Sequence, residues 1–478
     1  MEYPLPVLRT APLLSFALVL GCPSEVPSTD EPPTESPTDG PFVPGPWQTS
    51  QPELTGDDDS VRAIVHLHSH WSHDACDGDP QPGGVPDEAC LADLRAGLCE
   101  TRIDVAFLSD HPTHVDETDY ATLLLARTDD EPATDADGNV VGTRMTCESG
   151  HQVLLLPGVE SGDMMPLALD VTMDSYSGDT AEDFDRITEA GGLRWIAHTE
   201  TRDVEHLGTL GLEGIELYQL HANLAPDLRE DYLGLDPYSY LGEVGPFFFP
   251  DTQGLVDPPH PDLAPLGFVS LNEPSMVALE TLGQDGRIAI SGGTDAHQNV
   301  FPADASDGER IDSYRRMMRW FHTRLLMPNE GSIEPDAAEA ALREARSMVV
   351  FEVFGTPTPM RVEIMDGSSA LGGLGDEVPW ASGQTVGITP PTLDPRSPRS
   401  EDDPTITTRV YFADATGRTL LAESDDDAML SVEVPGPGVL RAEVWITPRH
   451  LAPYLGEVAE TYLETPVPWI QTGGVFFR

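Results

Sequence analysis

Between residues 62 and 297, six short runs rich in Ile, Leu and Val each stop at a His, an Asp or a Glu. They are Arg62-Ala-Ile-Val-His-Leu-His68, Ile103-Asp-Val-Ala-Phe-Leu-Ser-Asp-His111 and Val153-Leu-Leu-Leu-Pro-Gly-Val-Glu160. Leu193-Arg-Trp-Ile-Ala-His198, Gly214-Ile-Glu-Leu-Tyr-Gln-Leu-His221 and Ile288-Ala-Ile-Ser-Gly-Gly-Thr-Asp-Ala-His297 follow. Runs of this length and composition read as fully buried strands. Stretches such as residues 180–190 read as helices between them, and alternation of the two predicts a parallel, barrel-like sheet. Such sheets carry their chemistry at the C-terminal mouth, so polar residues far apart in the chain are expected to meet there.

The residue types at these ends point to metal binding. His66 and His68 are two apart on a predicted strand, which turns both side chains to one face. Asp295 and His297 repeat the spacing on the last strand. Asp110 and His111 end the second strand, Glu160 the third, His198 the fourth and His221 the fifth. Imidazole and carboxylate together suit zinc, manganese or iron. A carboxylate such as Glu160 can bridge two cations, which an imidazole cannot. Gly292 and Gly293 would let the backbone approach the metals closely. His70, His114, His151, His206, His260, His322 and His450 fall outside the pattern and read as surface or structural. Arg202, Arg315 and Arg316 could meet an anionic group, with surface charge the stronger reading.

His66-Leu-His-Ser-His-Trp-Ser72 resembles the opening motif of the PHP (polymerase and histidinol phosphatase) superfamily. Ser109-Asp-His111, Pro157-Gly-Val-Glu160, Ala197-His198 and Thr294-Asp-Ala-His297 are similar to its later motifs, in the same order. The resemblance covers about residues 60–300. It implies a distorted seven-stranded β/α barrel with two or three divalent metal ions. It further implies that His66, His68, Glu160 and Asp295 hold one metal, and that Glu160 bridges to a second held by His198 and His221. A third would use His111, His297 and either His73 or Asp74, which stand where the family pattern has Asp and Gly. Pro468-Trp469-Ile470 and the downstream layout resemble secreted carbaryl-hydrolase-type members, which append a β-rich domain.

The expected chemistry is metal-assisted hydrolysis, in which a water between two cations loses a proton near neutral pH. Glu160 is the expected bridging group. Asp110 is expected to orient a ligand or accept a proton. The leading reading is a phosphoesterase acting on a small-molecule ester. The alternatives are a carbamate, ester or amide hydrolase of the carbaryl-hydrolase type, or a non-catalytic metal-binding surface lipoprotein.

The ends of the chain bear on location and organisation. An apolar stretch from Ala11 to Leu20 follows Arg9 and closes on Val19-Leu20-Gly21-Cys22, which resembles a bacterial lipobox. It is too short to span a bilayer and has the size of a signal-peptide core, so residues 1–21 are expected to be cleaved and Cys22 acylated. Pro23 follows Cys22 in place of the Asp that resembles an inner-membrane retention signal, which favours the outer membrane. Residues 22–58 are rich in Pro, Ser, Thr and acidic residues and read as a disordered tether. In an exported chain Cys76, Cys90, Cys99 and Cys147 allow three disulfide pairings. Cys76–Cys90 with Cys99–Cys147 is favoured, because the first pair closes a Gly/Pro-rich loop. The formal charge of −56, with no lysine, argues against nucleic acid as a partner. Residues 59–346 are assigned to the barrel. Residues 347–478, with short β-type runs split by Gly, Pro and Asp turns, are assigned to an antiparallel β-sandwich domain.

Overall fold

The computed structural model describes residues 43–478 apart from 55–58, 116–117, 163 and 329–330. The apolar leader, Cys22 and the first part of the expected tether lie outside the described residues. Six parallel strands organise the first part of the molecule. They are β1 (Val61–Leu67), β2 (Val105–Phe107), β3 (Gln152–Leu156), β4 (Trp195–Ile196), β5 (Gly214–Gln219) and β6 (Ala289–Ala296). All but the first residue of β3 are buried or nearly so, which explains the Ile, Leu and Val content of these runs. They pair in the order β4–β5–β6–β1–β2–β3.

The gap between β3 and β4 is bridged by residues 164–169. Val159 N–H donates to Pro166 O, Leu167 and Leu193 exchange backbone hydrogen bonds, and Met165 N–H donates to Trp195 O. The path of hydrogen bonds therefore closes on itself. The bridging segment is irregular and antiparallel to its neighbours.

Helix α1 (Glu88–Glu100) packs on the outside of this ring. Asp87 caps it by accepting from the N–H groups of Ala89 and Cys90, and Cys90, Leu91, Leu94 and Leu98 form its buried stripe. Gly97 is required on this face, since a Cβ there would lie 2.8 Å from Arg315 N. The helix Ala181–Glu189 between β3 and β4 starts at a capping box made by Thr180 and Asp183.

The N-terminal half of β1 also pairs antiparallel with β7 (His322–Leu325), which pairs with β8 (Ser347–Val350). The strand Val467–Thr472 adds to β8, and Gly438–Thr447 adds to that strand in turn. Among the described residues this makes one mixed sheet of 16 strands and a separate antiparallel sheet of four. The four are Arg361–Asp366, Ser369–Gly373, Gln384–Thr389 and Leu430–Glu433. Strands from both sides of residue 347 thus share the large sheet, and Val43–Arg478 packs as one compact unit. Period-two patterning identifies strands but is silent on which strand lies alongside.

Part of the segment expected to be a tether lies within the described residues. Residues 43–54 lack regular structure but are seated on the fold. Trp47 stacks on His260 with 4.9 Å between ring centroids and donates to Asp262 through Nε1 at 2.8 Å. Arg62 donates to Pro52 O, and Gln51 is buried. A polar composition does not exclude docking where buried arginines offer donors to backbone carbonyls.

Candidate metal centre

The strand ends converge on one carboxylate. Glu160 Oε1 lies 3.3 Å from His198 Nε2. Glu160 Oε2 lies 3.4 Å from both His66 Nε2 and His111 Nε2, and 3.7 Å from His68 Nε2. Asp295 Oδ1 lies 3.4 Å from His66 Nε2 and 3.2 Å from His68 Nε2. Asp74 Oδ2 lies 3.3 Å from His111 Nε2, and its Oδ1 lies 3.8 Å from His68 Nδ1.

Three groups of donors in this array could each hold an ion: His66 with His68 and Glu160, His66 with His198 and Asp295, and His68 with Asp74 and His111. The fit to divalent metal is good. His66 Nε2 and His68 Nε2 are buried and make no hydrogen bond within the described structure. A tetrahedral ion with bonds near 2.1 Å keeps its ligands about 3.4 Å apart. The observed spacings match that value and are poor for direct hydrogen bonds.

The far sides of the His66, His68 and His111 rings are tied down, which fixes the nitrogen that faces the centre. Ser72 Oγ–H donates to Asp74 Oδ1 at 2.6 Å, so the same oxygen must accept from His68 Nδ1–H at 2.9 Å and from His111 N–H at 3.1 Å. His111 Nδ1–H donates to Glu160 O at 2.8 Å. His66 Nδ1–H donates to Glu216 Oε1 at 2.6 Å. Every tied nitrogen is Nδ1, which leaves Nε2 as the atom that faces the centre and that binds a cation once its proton is lost.

The backbone is unusual at three of these positions. His66, His198 and Asp295 have φ of 72°, 51° and 50°. Non-glycine residues in this left-handed region cost of order 1–3 kcal/mol each and cluster at functional sites. His66 and His68 therefore face one centre through an irregularity in the β1–β6 register between Val65 and Leu67, not through the regular pleat expected from their spacing.

Charge coupling is strong. Burial opposes a charged His66, but Glu216, Asp295 and Glu160 outweigh it and hold its pKa well above the imidazole range. For His111 the same opposition of burial is overcome chiefly by Asp74, which raises it to about 9. For His198, Glu160 and Glu200 overcome burial and raise it to about 10. Burial alone would raise the carboxyls of Glu160 and Asp295, but the facing imidazoles hold both well below the usual range.

The other expected residues are placed less centrally. His73 is exposed, with its ring 4.8 Å from that of His111 between centroids, whereas Asp74 is the residue that groups with His68 and His111. His221 lies on the short helix Leu220–Leu224, half exposed, with Nδ1 3.7 Å from Asp295 Oδ2. His297 Nε2 is 3.9 Å from Asp295 Oδ1, at the edge of the array. Asp110 is turned away from it. Its Oδ1 accepts from Ser69 N–H at 2.5 Å and its Oδ2 from Ser69 Oγ–H at 2.8 Å. Arg315 and Arg316 are neither surface charges nor anion receptors. They are buried against Asp262, so that carboxylate of the nearby His260, Asp262 and Asp307 group is already paired with two guanidiniums.

Glu216 and Glu200 escaped the sequence reading. Glu216 sits in the middle of an apolar strand, and a carboxylate there is costly unless it has partners. That was the available signal. The glycine reading also shifts: a Cβ at Gly293 would lie 2.2 Å from Glu216 Oε1, so the missing side chain makes room for a carboxylate.

No family model matches the chain, and no curated protein matches it. It is similar to a crystal structure from Bacteroides vulgatus ATCC 8482, a two-domain protein containing a predicted PHP-like metal-dependent phosphoesterase. The similarity spans 90% of this chain and 100% of that one, at 13% identity and a TM-score of 0.31.

Proposed function

We propose that this chain is a metal-dependent hydrolase of small phosphate esters that works with two or three divalent ions of zinc, manganese or iron. The observation that carries the proposal is Glu160, whose two oxygens face His198 on one side and His66, His68 and His111 on the other. His66, His68, Glu160 and Asp295 would hold one ion. Glu160 and His198 would hold a second, and Asp74 with His111 a third. Bound there, such ions would supply acidification of water and stabilisation of developing negative charge, chemistry that suits phosphoryl groups.

The chain's own residues supply orientation. Ser72 holds His68, Asp74 and His111 in register through one hydroxyl. Asp110 is a positioning residue, because it fixes Ser69 at the turn between His68 and Ser72. His221 and His73, at the exposed rim, are the groups an incoming ester meets first. The disulfides Cys76–Cys90 and Cys99–Cys147 support an oxidising compartment. Export with a lipid anchor at Cys22, on the outer membrane, completes the proposal.

The test is elemental analysis of protein purified without added metal, followed by chromogenic phosphate, acetate and carbamate esters with Mn(II) or Zn(II), with and without chelator. Phosphate ester turnover that chelator abolishes is expected. Glu160→Gln should lower it by more than roughly 100-fold, beyond what loss of an outer contact costs, and should lower metal content. A Glu160→Gln protein with full metal and full turnover would sink the assignment. Turnover of acetate or carbamate esters alone would overturn the substrate class, and metal without turnover would overturn the enzyme.

A further inference from the structure

Glu216 reaches across a neighbouring strand. It stands on β5, whereas His66 stands on β1, with β6 between them. The crossing is possible because β6 has Gly293 at that point, where a Cβ would lie 2.2 Å from Glu216 Oε1. The carboxylate is fully buried, and its two oxygens serve two different donors. Oε1 accepts from His66 Nδ1–H at 2.6 Å, and Oε2 accepts from His198 N–H at 2.8 Å.

In the ion assignment proposed above, His66 belongs with His68 and Asp295 and His198 with the other oxygen of Glu160, although His66, His198 and Asp295 also lie close enough to form one donor group. One buried group thus aims a ring on one side and holds a left-handed backbone on the other. We propose that Glu216 is a positioning residue that makes the two halves of the metal centre interdependent, so that order in one half favours ion binding in the other. The inference rests on the metal-centre reading above.

The chemistry of the side chain makes it testable. Two N–H donors converge on Glu216, and only a carboxylate offers each an acceptor. A glutamine can accept from one donor, but its NH2 must then face the other, and a buried donor left unpaired is costly.

The experiment is an equilibrium titration of the chelator-stripped full chain with Zn(II) and with Mn(II), read by calorimetry and elemental analysis. Wild type is expected to load at least two ions in one steep step. Glu216→Gln should weaken both by roughly 10–100-fold and split the step in two. Glu200→Gln, whose carboxylate faces His198 Nδ1 at 3.7 Å, should weaken only one. Gly293→Ala should behave like Glu216→Gln, because its methyl takes the place of Glu216 Oε1, and it decides the matter if Glu216→Gln does not fold.

A Glu216→Gln isotherm of wild-type shape overturns the coupling, even if the stripped variant melts at a lower temperature, since that is what a purely structural role predicts. Wild-type protein that binds no ion overturns the metal-centre reading itself.

Discussion

His66, His111 and His198 carry the most informative electrostatics in the molecule. Without metal, facing carboxylates outweigh the opposing effect of burial and hold all three rings above the ordinary imidazole value, His111 at about 9 and His198 at about 10. A cation must displace the proton on each Nε2 it binds. The sign follows: binding at pH 7 releases protons, and apparent affinity climbs as pH rises toward 9. Calorimetric titration at pH 7 in two buffers of different ionisation enthalpy should show a net release of more than one proton per ion loaded. Release of none would mean that the rings are already neutral.

The loop that carries Asp74 is the element most exposed to chemical control. Asp74 lies two residues before Cys76, which is bridged to Cys90 on α1, with a sequence separation of 14. Cys76 N–H also donates to His297 O, and Asp77 N–H to Gln298 O. The bridge and these hydrogen bonds together tie the loop of Asp74 both to a helix and to the loop after β6. Replacing both cysteines by serine should cost about 3 kcal/mol of unfolding stability, the value for closing a loop of this length. It should also lower occupancy of the His68, Asp74 and His111 group before that of the groups around Glu160. Denaturant melts and metal analysis at limiting Zn(II) read the two effects separately. Equal loss at all groups would show that the bridge serves global stability only.

The molecule as a whole is joined through its buried polar groups. Glu352 pairs with Arg62 of β1 and Arg324 of β7, and lies 3.0 Å from His322 Nε2. His450 Nε2–H donates to Phe354 O, and Trp469 Nε1–H donates to Gly355 O. Burial drives both His322 and His450 down to about 4. Folded protein keeps these rings neutral while the unfolded chain takes up protons near 6.5, so their contribution is intact above that value and is lost as pH falls toward 4. Each is worth at most about 3 kcal/mol over that window. Urea melts at pH 7, 5.5 and 4 should show one cooperative transition for residues 43–478 and a steep acid loss. His450→Gln, which keeps a donor for Phe354 O, should be less sensitive to acid than wild type. Identical pH profiles would remove His450 from this role.

The sequence by itself determined the strands, their apolar faces, the residues at their ends and, through the Gly/Pro-rich loop, the favoured cysteine pairing. These depend on local periodicity and on residue chemistry, which the order of amino acids states directly. Glu160 as the meeting point was legible for the same reason, because a strand-final carboxylate is the natural bridge. Only the tertiary structure shows that Asp74 is joined to Ser72 and faces His68 and His111, while His73 stands at the exposed side of His111. It turned Asp110 toward Ser69, revealed Glu216 behind Gly293, and ran Ser347–Val350, Val467–Thr472 and Gly438–Thr447 into the same sheet as β1. Each of these is a relation between distant segments, set by which strand lies alongside and where a missing side chain leaves room.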